Sequence, residues 1–178
     1  SLHFRKARFG GLANFGNVRC GAKSSFNELV FENQAAFFDA QMDGDIFFTG
    51  AHFADELMLR KIKCGGGLTL KKISVDGRLN LANSAVDDRL IFDEGAVGGD
   101  FEASGLAVGT WGSMASTIFK GMVDLTGVRV GVKVDKKESG GEEGKEKKFV
   151  PGSFYLTGAL FRRSLDLTTD GKLLTRAS

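Results

Sequence analysis

The chain has 178 residues, with 24 Lys and Arg against 22 Asp and Glu, two His, two Cys and a formal net charge of +2. That length fits one domain, and the balanced charge excludes the strong basic stripe of a general nucleic-acid binder. No apolar run approaches the 18 or more residues, roughly, of a membrane-spanning helix.

From Phe4 the sequence advances by five and six residues in turn through Phe9, Phe15, Cys20, Phe26, Phe31 and Phe37. These steps keep landing on apolar residues as far as Leu125 and Val130, and they resume at Leu156, Phe161 and Leu167. Two residues before each mark stands a second apolar or small residue, such as Ala7, Ala13, Val18, Leu29 and Ala35. The exceptions Ser24, Ser84, Thr117, Gly95 and Gly112 are all small. The residue between is mostly polar, as at Arg8, Asn14, Arg19 and Lys63. Apolar–polar–apolar is a short strand with alternate residues inward. Connections of two or three residues leave no room for hairpins, so the chain must bend the same way after each strand and wind into a parallel solenoid.

The columns set the number of sides. Phe9, Phe31, Phe53, Val75, Val97 and Phe119 form one series at 22-residue spacing, and Cys20, Met42, Cys64, Val86, Val108 and Val130 form another that lacks Phe. The two series alternate at every second mark, so one coil takes four marks and has four sides. All Phe except Phe38, Phe47 and Phe149 then take inward positions. About seven coils are expected, in a rod roughly 30 Å long. The longer, six-residue corners carry Gly11, Asn33, Gly44, Asp55, Gly66, Gly77, Asp88, Gly99 and Gly121, with Ala22, Thr110 and Arg163 as departures. Gly, Asn and Asp tolerate positive φ, which places a left-handed turn at those corners.

The units Ala7-Arg-Phe9-Gly-Gly, Ala51-His-Phe53-Ala-Asp and Ala159-Leu-Phe161-Arg-Arg resemble those of the pentapeptide-repeat family. The resemblance covers about 2–131 and 152–168. It implies a right-handed quadrilateral parallel β-helix, all-β, of bacterial style, here with a lengthened coil because alternate sides take six residues instead of five. It also implies end-to-end homodimerisation through an end of the solenoid. Some members of that family bind type II topoisomerases such as gyrase by mimicking duplex DNA and so give quinolone resistance. Such mimicry needs a continuous acidic surface. Here Arg19, Lys63 and Arg129 alternate with Asp43 and Asp87, which disfavours that reading.

The whole of 1–178 reads as a single solenoid domain, interrupted at 132–151 by a charged, flexible loop that contains Lys136, Lys137, Lys147 and Lys148. Pro151 marks re-entry, and 169–178 forms a C-terminal cap or tail. Cys20 and Cys64 share a column two coils apart, roughly 9–10 Å, too far for a disulfide. Two buried thiols fit the cytoplasm. The chain enters its repeat at once, without Met or a signal-like start, so an excised domain is expected.

Little points to chemistry. His3 and His52 lie at outward positions on different columns, without Cys, Asp or Glu at ligand spacing. Gly65-Gly66-Gly67 precedes no helix, so it lacks the anion site of a phosphate loop. Asp87-Asp88 and Glu142-Glu143 fall on a corner and in the inserted loop, where nothing encloses a substrate. The chain is therefore read as a non-enzymatic scaffold or protein-interaction module, with no metal, no cofactor, no nucleic-acid partner and no transmembrane segment. The expected contact residues are outward apolar side chains, Phe38 and Met58 on one side, Phe47 and Ile91 on the next and Trp111 at a corner, together with the loop lysines.

Overall fold

A computed structural model of the chain describes residues 2–21, 23–135, 147–169 and 172–173. The described residues contain no helix. They form short strands, most of two residues, gathered into four faces that repeat along a rod. The first face runs from Arg8–Phe9 to Leu160–Phe161 and the second from Ala13–Asn14 to Leu165–Asp166, each with seven strands. The third begins at Arg19–Cys20 and ends at Arg129–Asp135. The fourth has six strands, from Ser24–Ser25 to Ser153–Tyr155, and is extended by a bridge from Ser25 to His3. Each strand pairs in parallel with its equivalent one coil later, as Arg8 with Val30 and Leu57 with Leu79. This is the quadrilateral parallel β-helix that the repeat implies.

Inward Phe residues of successive coils stack on one another. Phe9, Phe31 and Phe53 stack at 4.8 and 4.9 Å with nearly parallel rings, and Phe15 on Phe37 and Phe26 on Phe48 do the same. The ring spacing follows the strand spacing. Neighbouring columns meet edge-to-face, as Phe26 with Phe37 at 5.0 Å. Burying each Phe is worth about 2–3 kcal/mol, and each aromatic pair adds about 0.5–1.5 kcal/mol. The small exceptions in the inward set are buried without an orphan polar atom. Ser84 Oγ donates to Leu59 O at 2.8 Å, and Thr117 Oγ1 donates to Phe92 O. Each hydroxyl thus reaches a carbonyl of the preceding coil.

The left-handed residues are not where the Gly, Asn and Asp count placed them. Among the described residues, and apart from Gly131 at the insertion, positive φ falls at Lys6, Asn17, Glu28, Asp39, Gly50, Lys61, Lys72, Asn83, Glu94, Gly105, Ser116, Gly127 and Gly158, all in the five-residue steps. Most are the third residue of a β-turn, closed for example by Ala40 N donating to Phe37 O at 3.1 Å. At two of these turns stacked coils pair charged residues at this strained angle: Glu28 meets Lys6 at 3.6 Å, and Glu94 meets Lys72 at 3.4 Å, whereas no ion pair among the described residues engages Asp39 or Lys61. Several glycines of the six-residue corners answer another need, although Asn33, Asp55, Asp88 and Thr110 hold equivalent corners with side chains. A Cβ on Gly77 would lie 2.9 Å from the carbonyl carbon of Asp55, and one on Gly121 would lie 2.3 Å from Gly99 O. There the stacked backbones approach too closely for a side chain, and Gly99 N donates to Gly77 O at 2.8 Å. Ala22 lies outside the described residues.

The insertion over 132–151 leaves and re-enters the rod as two strand arms. Arg129–Asp135 continues straight through the corner where other coils bend, with Gly131 at φ +142°. Lys147–Pro151 returns antiparallel to it, pairing Gly131 with Pro151 and Asp135 with Lys147. Gly152 N then donates to Val130 O at 2.8 Å, and the coil resumes. Near the C-terminus Thr168–Thr169 pairs antiparallel with Lys172–Leu173.

Candidate interaction surface

The rod's interior is filled, so its accessible chemistry lies on the outward columns. Cys20 and Cys64 are free and buried. Burial pushes the Cys64 thiol up to about 11, and its Sγ faces the carbonyls of Gly66 and Gly44 at 3.4 and 3.5 Å. A protonated, backbone-bound thiol is a poor nucleophile. A shallow recess on the third face is lined by Gln41, Asp43, Lys63, Gly65 and Asp87 beside that thiol. Among the described residues no three or more His, Cys, Asp or Glu stand together as a metal-holding group, and no helix is long and apolar enough to cross a membrane.

Ion pairs between successive coils neutralise much of the surface. On the first face Arg8 pairs with Glu32, and His52 Nε2 lies 3.7 Å from Asp76. Arg78 pairs with Glu102 at the edge of the second face. At the corner leading to the fourth face, Asp45 accepts from Gly67 N at 2.9 Å and lies 3.5 Å from Lys23 Nζ. The Gly67 amide, with Lys23 assisting, holds that carboxyl below the usual aspartate range. Exposed pairs of this kind are each worth only about 0–1 kcal/mol.

The residues singled out from sequence occupy separate places. Phe38 is half-buried in the turn after the second face. Its ring lies under the Arg60 guanidinium at 5.4 Å and against Gly16, whose added Cβ would meet the ring at 2.5 Å. Met58 is half-buried between Ala36 and Asn80 in the outward column of the second face. Phe47 and Ile91 share the fourth face but are separated by Thr69, and Lys23 lies over the Phe47 ring at 5.9 Å. Trp111 is exposed at the corner between the third and fourth faces and meets the Tyr155 ring edge-on at 6.5 Å. Lys147 and Lys148 are on the returning hairpin arm, and Lys136 and Lys137 lie outside the described residues.

The most exposed large apolar residues are others: Leu12, Ile118, Met122, Tyr155 and Leu160, with Met122 and Tyr155 both at 51%. Ile118 and Leu160 are adjacent rungs of one outward column, Arg8, Val30, His52, Ser74, Ala96, Ile118 and Leu160. The 22-residue period runs through this column as far as Ile118, and the insertion then shifts Leu160 out of that spacing. Comparison with protein-family models, with curated proteins and with solved structures gives no match.

Proposed function

We propose that this chain is a non-enzymatic scaffold whose flat outer faces bind other proteins, a pentapeptide-repeat-like rod adapted to a longer coil. The observation that carries this reading is the filled interior. Phe31, Phe37, Phe48 and Phe53 are wholly buried in the stack, so recognition falls to outward columns at fixed spacing, as in other solenoids. The alternating signs of the coil-to-coil ion pairs support protein partners over imitation of duplex DNA, which needs uninterrupted acidic charge. A second copy of the chain is one such partner, meeting it through an end of the rod, where Phe4, Phe9 and Phe15 are only half-buried.

The test is affinity capture with the intact chain and with a form lacking 132–151, which joins Gly131 to Gly152 and restores the six-residue step. Captured proteins are then purified and their direct affinity measured. Sedimentation velocity of the chain alone reports self-association. Specific binding of a purified protein, or of a second copy, is expected. A chain that remains monomeric and binds none of the captured proteins directly would end this reading.

A further inference from the structure

The two ends of the first face differ in a way that points to a partner. Low on this face, a basic side chain in the strand column lies against an acid in the next coil, placed just past the strand. Arg8 meets Glu32 in this way, and His52 meets Asp76. Higher up, both columns change character. The strand column becomes Ile118 and Leu160, exposed by 37% and 47%. The column that held Glu32 and Asp76 becomes Lys120 and Arg162, with Arg163 beside it. Lys120, Arg162 and Arg163 are exposed, and among the described residues no ion pair engages them. Of the acids nearby, Asp100 accepts from Met122 N and Asp124 accepts from Thr126 N, both at 2.8 Å, and Asp166 lies past the corner on the second face, stacked on Asp124. Met122, 51% exposed, lies past Lys120 and Gly121 where the chain enters the second face.

We propose that this upper end of the first face docks an acidic amphipathic helix of a partner protein. This rests on the scaffold reading above and gives the partner a chemistry. Ile118 and Leu160 are paired rungs, so they stand about 4.8 Å apart along the rod, close to the roughly 5–6 Å between neighbouring side chains on a helix. Lys120 and Arg162 lie two residues further along the same turns, roughly 6–7 Å away. A helix lying parallel to the rod axis sets its apolar stripe on Ile118 and Leu160 and its carboxylates against Lys120, Arg162 and Arg163. An exposed apolar pair of rungs flanked by cations that no ion pair engages among the described residues is a surface of the kind that marks such sites.

The experiment uses the full chain and three synthetic peptides followed by fluorescence anisotropy. One carries Leu on one helical side and Glu on the other, the second has Lys for Glu, and the third has Ser for Leu. The Leu/Glu peptide should bind the wild type. The triple variant Lys120→Glu, Arg162→Glu, Arg163→Glu, with unchanged melting, should bind it about tenfold less tightly and should gain affinity for the Leu/Lys peptide. Ile118→Ser with Leu160→Ser should weaken the Leu/Glu peptide with charge intact. Equal binding by the triple variant, equal binding of the Ser/Glu peptide, or binding only to vesicles of phosphatidylserine and phosphatidylcholine would each overturn the proposal. A captured partner whose affinity ignores all five substitutions would end this inference and leave the scaffold reading standing, whereas a chain that binds no protein directly would end both.

Discussion

Gly11 and Gly121 stand at equivalent positions of the six-residue corner, yet alanine should affect them oppositely. Neither has positive φ, so neither is protected by the left-handed region. At Gly121 an added Cβ would sit 2.3 Å from Gly99 O, 2.4 Å from Gly99 C and 2.6 Å from Asp100 N, all backbone atoms held by their own strand pairing. Ordinary contact needs a separation larger by roughly 1 Å, which must come from prising two coils apart at that corner. Such overpacking costs about 1–3 kcal/mol, and the rigidity of the neighbours puts Gly121→Ala at the upper end. For a chain of this length that lowers the melting temperature by roughly 5–10 °C. At Gly11 an added Cβ meets no atom within 4 Å. Gly11→Ala should therefore be neutral, or stabilise by at most about 1 kcal/mol through the entropy of the unfolded chain. Urea and thermal unfolding of both variants followed by circular dichroism give the comparison. Equal losses at the two sites would refute the close-approach account of these corners and return them to a conformational one.

The left-handed corners make the complementary case. Lys61 has φ 58° and is exposed, and leaving that angle to a non-glycine residue costs about 1–2 kcal/mol. Lys61→Gly should raise stability by up to about 1 kcal/mol after the glycine's extra unfolded entropy; a lower urea midpoint would count against the turn assignment. Asp45 has a folded pKa depressed by the Gly67 amide and then by Lys23. Its contribution is complete above the ordinary aspartate value of about 3.9 and is lost as pH falls through the lower folded value. Asp45→Ala should therefore cost about 1 kcal/mol at pH 7, with the gap from wild type closing in acid; a gap that widened below about pH 4 would contradict the sign. With its thiol pushed up to about 11, Cys64 should react with iodoacetamide at about pH 8 on the order of a hundredfold more slowly than free cysteine. Mass spectrometry of the labelled peptide, with and without denaturant, measures this.

The coil was legible in the sequence because its cause is local and repeated. An inward residue every five or six positions leaves a chain with tight corners few choices, and Phe9, Phe31 and Phe53 report their own stacking. Corner chemistry was legible only in part, because Gly satisfies two distinct demands. At Gly50, with φ 67°, it relieves a left-handed backbone; at Gly77 it clears space against Asp55 of the preceding coil. Counting Gly, Asn and Asp cannot separate these demands. The stacked charges Lys6 and Glu28, and Lys72 and Glu94, could have marked the true left-handed column, since their spacing is that of one coil. The alternation of Val132 and Val134 with Lys133 and Asp135 carried the outgoing hairpin arm, but the charged stretch after it dominated the composition of the insertion.

The surface was harder to read because outward residues are judged by their neighbours in other coils. Phe38 looks exposed in sequence, yet Gly16 one coil before makes room for its ring and Arg60 one coil after covers it. Ile118 looks like one more outward residue until Leu160 is set beside it. Because the insertion falls between them, these stacked neighbours are separated in sequence by nearly two coils' worth of chain, and a fixed period passes over the pair. A solenoid writes its core along the chain and its surface across it. The drift from Arg8–Glu32 and His52–Asp76 to Ile118, Leu160, Lys120 and Arg162 is therefore visible only once the coils are stacked. That drift gives an otherwise repetitive face a distinct end, and so a basis for recognising one orientation of a partner along the rod.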